Sequence, residues 1–388
     1  MENEIKLTFL AGVQVDNEIY FSAWNMNGLF KYNPQTEQCD FLRIFDGEGE
    51  WGLHSEAIHY KNTIWFIPSA SERISIVDIS TLNITYLELP KSGYRTCEEQ
   101  VQTLRIKGCY RSDEKFLWLL PHTYKLFVKI DMEKRKIVKE AQWRVNGNVG
   151  ANGIKVRDKI VIFRYDRSEI SVIDENSEEL VIKYFEKEKV LYKGIQIIDE
   201  WLVFFPLRIK DGILLLNIES NDIKNVKLKD DGQVYDECQT YTEKGEIFIV
   251  PYLGNKYIRI HLDNEGSFTT EYKVLDVSQN TYCSKKLIYN NEVWFLPHAI
   301  DKPIICYLKR EDKLRYRYIK IDREKYIEDN IKLAIKYGLE YSSLAHEKII
   351  KEQPSLLNVF LEFINKENYQ INVDINKQIG KYIYNLMD

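Results

Sequence analysis

Seven times along the 388-residue chain a burst of large apolar residues recurs at nearly even spacing. The bursts begin at Ile19, Ile64, Leu117, Ile160, Leu202, Ile247 and Val293, at intervals of 45, 53, 43, 42, 45 and 46 residues. Each is apolar at successive positions, as in Ile64-Trp65-Phe66-Ile67, which is the pattern of a strand buried on both faces. Their shortness and their Val, Ile and aromatic content exclude a helical reading. A unit of this length cannot bury its apolar faces alone, so the copies must stack against one another.

Each unit divides into four strand-like pieces. In the second they are His54 to Tyr60, Ile64 to Pro68, Ile74 to Asp78 and Ile84 to Leu89. Turn-forming residues precede the second piece in several copies, at Asp16-Asn17, Lys61-Asn62, Glu243 to Gly245 and Asn290-Asn291. A further column follows the third piece: Asn33, Asp78, Asp131, Asp174, Asn217 and Asp263, broken by Lys309. These side chains are placed to cap hairpin turns, a reading preferred here over a ring of cation ligands.

A period of about 40–50 residues with four strands per unit resembles the β-propeller superfold that includes WD40, kelch and lyase-type discs. The resemblance implies an all-β, seven-bladed propeller of four-stranded antiparallel blades over residues 1–321. Neither the Gly-His/Trp-Asp pair of WD40 repeats nor the kelch double glycine recurs, so the likeness is architectural and no family residues carry over. The superfold also implies that ligands meet the face bearing the loops between strands two and three and the loops between blades. From residue 322 to 388 the pattern turns helical. Ile327, Ile331, Ala334 and Ile335 share one face, Pro354 suits a first turn, and Asp374 suits a cap. We expect a small C-terminal α-helical appendage there, able to support self-association.

Composition removes several classes of function. The net charge is -5 and no basic block stands out, which argues against a nucleic-acid surface. No apolar run is long enough to span a membrane, and the first residues lack signal-peptide character. The six cysteines show no Cys-x-x-Cys pair, which fits reduced thiols in a cytoplasm. No phosphate-binding glycine loop, His-Glu-x-x-His or Gly-x-Ser-x-Gly motif is present.

Candidate functional residues follow from aligning the repeats. Four residues after each start stand Ala23, Pro68, Pro121, Arg164, Pro206, Pro251 and Pro297, where proline ends the strand. The next column reads Trp24, Ser69, His122, Tyr165, Leu207, Tyr252 and His298, a rim rich in rings suited to sugars, cations or partner side chains. Arg164 and Arg208 come from the same loops, and the inter-blade loops are expected to supply His54, Glu56, Arg95, Glu98, Glu99, Asn152, Asp236, Glu237, Gln239, Cys283 and Lys285. The reading favoured is a binding module that holds a protein, peptide or carbohydrate-like ligand on this face without a cofactor. The alternative is a metal-assisted or acid/base lyase or hydrolase, with a divalent cation at the pore mouth on His54, Glu56 or His298. Streptogramin-inactivating lyases show that a seven-bladed disc can host such chemistry.

Overall fold

The computed structural model describes residues 7–322 apart from 25, 49–51, 94–105, 112, 143–150, 165–168, 175–179, 185–191, 199, 207–211, 218–219, 221, 228–238, 244–245, 251–252, 255, 263–267, 275–280 and 298–301. The helical segment expected beyond 322 therefore lies outside the described residues. Within them seven antiparallel sheets follow one another, each built on four consecutive long strands. Blade 1 comprises Phe9–Val15, Glu18–Ala23, Leu29–Asn33 and Gln38–Arg43; blade 2 comprises His54–Tyr60, Thr63–Pro68, Arg73–Asp78 and Ile84–Glu88. Blades 3, 4 and 5 begin with Ile106–Arg111, Ala151–Val156 and Tyr192–Ile198. Blade 6 begins with Gln239–Glu243 and blade 7 with Thr281–Tyr289. The first strands of successive blades adjoin one another, and that of blade 7 returns to that of blade 1. The chain is a closed, seven-bladed β-propeller whose first strands ring a central channel.

Ring closure uses both ends of the repeat. Phe9 opens the innermost strand of blade 1 by pairing with Ala23. Past the last strand of blade 7, Lys320 forms a parallel bridge with Gln38 on the outer strand of blade 1. Its carbonyl accepts from the Cys39 amide at 2.7 Å, and its amide donates to the Glu37 carbonyl at 2.8 Å.

The apolar second strands decide the packing. Buried side chains form clusters between successive blades: Ile64 and Phe66 join blade 1 residues, whereas Trp65 and Ile67 join blade 3 residues. Alternate residues of one strand thus serve opposite neighbours, which is why apolar character runs without interruption. Trp65, Trp118 and Trp294 occupy the same register position and are fully buried. Truncating such a ring to alanine typically costs about 3–5 kcal/mol. Trp65 donates its indole N–H to Thr63 Oγ1 at 3.1 Å and Trp294 donates to Glu292 Oε2 at 2.9 Å, each two residues back on the same face.

The turns follow the expected chemistry. Asn33 Oδ1 accepts from the Gln35 amide at 2.8 Å, Asp78 Oδ1 from Thr81 at 2.9 Å, Asp131 Oδ1 from Lys134 at 2.9 Å and Asn217 Oδ1 from Ser220 at 2.9 Å. Hydrogen bonds from Ser80 and Thr81 hold the Asp78 carboxyl down at about 2. The hairpins ahead of the second strands carry left-handed residues at Asp16, Lys61, Arg157, Asn290 and Asn291, a backbone conformation that favours glycine.

One regular feature has no counterpart in the repeat alignment. In blades 1, 2, 3, 5 and 7 the first strand gains an extra residue where it meets the end of the second, at Leu10, Ser55, Lys107, Lys193 and Ser284. Four of these bulges face the column prolines Pro68, Pro121, Pro206 and Pro297. Proline has no N–H to give the ladder, and a bulge absorbs the missing pairing.

Candidate functional site

The bulge in blade 2 separates two residues that the alignment groups together. Cross-strand partners share a face, and His54 pairs with Pro68 while Glu56 pairs with Ile67. Since Ile67 and Pro68 point to opposite faces, His54 and Glu56 do too, although they stand two residues apart.

His54 turns toward blade 1 and is enclosed there, 1% exposed. Its Nδ1 lies 2.7 Å from Ser22 Oγ and its Nε2 3.0 Å from Ser75 Oγ. The rings of Phe45 and Phe66 sit 4.5 and 5.3 Å away. A neutral imidazole donates through one nitrogen and accepts through the other, so both hydroxyls are served. Burial among apolar rings disfavours the charged form and pulls the His54 pKa down to about 3. The expectation that His54 lines the pore mouth is therefore corrected: the bulge directs it into the interface between blades 1 and 2.

Glu56 takes the other face and forms an ion pair with Lys285 on the first strand of blade 7. Ala11, at the same level of blade 1, stands between them with the shortest side chain of the three. The Lys285 ammonium also lies 3.5 Å from the Ser55 carbonyl. Neither partner is sealed off, with 15% of the Lys285 side chain and 28% of the Glu56 side chain exposed. Lys286 points to the opposite side of its strand and donates to the Thr240 carbonyl of blade 6 at 2.7 Å. Burial, reinforced by the neighbouring Lys285 charge and opposed by Glu56, pulls the Lys286 pKa down to about 8. A polar chain continues around the ring: the Gln196 amide of blade 5 donates to Thr240 Oγ1, and Thr242 Oγ1 donates to Gln196 Oε1 at 3.0 Å. The charges of Glu56 and Lys285 also reach Cys109 of blade 3, whose thiol is held neutral well above its ordinary pKa, chiefly by burial.

Blade 7 is fixed at this level by an additional pairing. Leu253–Gly254, from the loop after the second strand of blade 6, pairs with Tyr282 and Thr281 at the start of the blade 7 inner strand. Residues Asn152, Gln239, Cys283 and Lys285, expected in inter-blade loops, instead belong to inner strands. In blade 7 the extra pairing lengthens the inner strand toward the mouth.

The remaining candidates fall as follows. Trp24 and His122 each follow the end of a second strand and are half-buried. The Trp24 carbonyl accepts from the Gly52 amide at 2.5 Å, and its ring lies 3.4 Å from the point where a Gly52 side chain would begin. Gly52 has a φ of +66°, a backbone conformation that favours glycine, while the Trp24 ring at that distance makes only ordinary contact. Arg164 ends the second strand of blade 4, with its backbone paired to Ala151. Arg95, Glu98, Glu99, Tyr165, Arg208, Asp236, Glu237, Tyr252 and His298 lie outside the described residues. Lys286, Gln196, Thr240, Thr242 and Cys109 were not singled out from sequence. The available signal was polar residues interrupting Ile- and Tyr-rich first strands.

Among the described residues no group of three or more His, Cys, Asp or Glu side chains gathers to hold a metal ion. No described helix is long and apolar enough to cross a membrane. On the opposite face Tyr60, Lys61, Arg111, Lys115 and Glu133 line a depression of about 580 Å³. Its charges already meet one another there, with Lys61 paired to Glu133 at 2.7 Å.

No protein-family model matches the chain, and no curated protein matches it. Solved structures do. Virginiamycin B lyase from Staphylococcus aureus superposes with a TM-score of 0.57 at 12% identity, over 76% of this chain and 93% of that one. Kluyveromyces lactis Hsv2 gives 0.50 at 10% identity, over 81% and 98%. The β-propeller domain of Myceliophteria thermophila Cps50 (Swd1) gives 0.50 at 10% identity, over 68% and 85%. At such identities the likeness shows the fold alone.

Proposed function

We propose that this propeller is a binding module whose working face carries the inter-blade loops and the loops after the second strands. The observation that carries the reading is the polar cluster beneath that face. Glu56, Lys285, Lys286, Thr240 and Gln196 come from four blades widely separated in sequence, yet Glu56 pairs with Lys285, Lys286 bonds the Thr240 carbonyl and Gln196 bonds Thr240 Oγ1, all on inner strands. Charged groups raise the cost of assembling an interior, so a chain gains nothing structurally by gathering them there unless they meet a ligand. The rim of Trp24, His122, Tyr252 and His298 supplies the surrounding contacts, and the ligand is a protein segment, peptide or carbohydrate-like molecule. The module is assigned to the cytoplasm, and the segment after residue 322 adds a second contact or mediates self-association. The metal-assisted lyase reading is weaker, because His54, one of its proposed ligands, is enclosed between blades.

The test is affinity capture from the source cell's lysate with wild type and with a variant carrying alanine at Trp24, His122, Tyr252 and His298. Partners retained by wild type and lost from a folded variant support the reading. Undiminished capture by the variant refutes it.

A further inference from the structure

We propose that the channel end is a carboxylate-binding site, in which Lys286 seats the anionic group of the ligand and the neighbouring Lys285 adds positive charge. This deepens the binding-module reading and rests on it for the choice of face. Among the described residues, Lys285, Lys286 and Glu56 together carry two positive charges and one negative. Glu56 neutralises Lys285 and is itself a carboxylate resting on one of the two ammonium groups, so the site already accommodates the chemistry inferred for its ligand.

Lys286 has no such partner among the described residues. Its ammonium carries three donors, and the hydrogen bond found for it goes to the Thr240 carbonyl. A second carboxylate accepting from the Lys286 ammonium would complete the charge balance, with Thr240 and Gln196 beside it on the blade 5 and 6 side. Burial makes the seat stronger than a surface pair, because two charges attract more in a poorly solvated channel than in bulk water. The proton affinity of Lys286 is depressed chiefly by burial and further by the Lys285 charge, yet with a pKa of about 8 the group stays largely protonated at neutral pH.

The carboxylate could belong to a free small acid or to an acidic side chain of a peptide, and two probes separate these sources. Calorimetric titration of the full chain would use succinate, with succinamide as its neutral isostere. In parallel it would use a capped Gly-Glu repeat peptide, with the Gly-Gln peptide as control. Saturable binding of succinate, of the Glu peptide or of both, with neither neutral control binding, is expected. Succinate alone would indicate a small-acid ligand, and the Glu peptide alone an acidic segment. Lys286→Met should weaken binding roughly tenfold or more, since a charge-assisted hydrogen bond is lost. Lys286→Arg should keep most of it. Glu56→Gln should strengthen it, because the internal competitor for Lys285 loses its charge. That gain in affinity keeps the test decisive even if the methionine variant fails to fold. Absence of saturable binding by both carboxylate probes, equal binding of the neutral controls, or no tightening in Glu56→Gln would overturn the inference. Because these probes need only the channel, repeating the titration on the rim variant separates this inference from the proposed role of the rim.

Discussion

His54 and Glu56 are near neighbours on one strand, polar and at the same end of the channel, yet their environments are opposites. His54 is sealed between blades 1 and 2, with a serine hydroxyl at each ring nitrogen and phenylalanine rings on its flanks. Glu56 faces the channel, stays partly open to solvent and depends on a lysine from blade 7. The first arrangement is complete within the fold; the second leaves a neighbouring cation, Lys286, without a carboxylate among the described residues. A polar group fully satisfied by its own fold is a structural device, whereas one that leaves charge in surplus is where a ligand has something to contribute.

The sharpest way to break this contrast is acid. The His54 pKa is about 3 in the native protein against an ordinary value of 6.5. Between those values the unfolded chain binds a proton that the native chain does not, so stability falls as pH drops from 6.5 toward 3. The full loss attributable to His54 is roughly 4–5 kcal/mol. Denaturant melts across that range should show it, and His54→Phe should flatten the His54 component of the profile. An unchanged profile would mean that the imidazole is not enclosed.

Lys286 gives a smaller effect of the same sign at the other end of the scale. Its native pKa of about 8 lies below the ordinary 10.5, so the unfolded chain binds more protons between the two. Stability should therefore rise with pH from about 8 to 10, by on the order of 2 kcal/mol once solvent screening is allowed for. Lys286→Met should remove that rise. The smallest expected effect is the coupling between Glu56 and Lys285. A double-mutant cycle with Glu56→Gln and Lys285→Met should give about 1–2 kcal/mol, between the values of surface and buried pairs. Coupling near zero would mark the pair as an ordinary surface contact.

Much of the scaffold was legible in the chain. The seven bursts became second strands because each faces two neighbouring blades, a requirement visible as uninterrupted apolar character. Asn33, Asp78, Asp131 and Asn217 cap their turns because that chemistry is local and survives in any tertiary setting. The candidate site was legible only in part. Glu56 was identified, but His54 was grouped with it, and Lys286, Thr240, Thr242, Gln196 and Cys109 were passed over. Their proximity comes from inner strands that lie far apart along the chain, and no local spacing encodes it.

The limit has a specific physical cause. Side-chain direction in a strand alternates with period two, so the sequence alone assigns His54 and Glu56 to the same face. A single extra residue, Ser55, reverses that assignment, and bulges leave no dependable mark in composition. Sequence by itself determined the number of blades, the identity of their buried strands and the chemistry of their turns, because these depend on local periodicity and burial. Only the tertiary structure decided which polar residues became interior struts and which were left facing the channel, because that depends on register between strands and on closure of the ring.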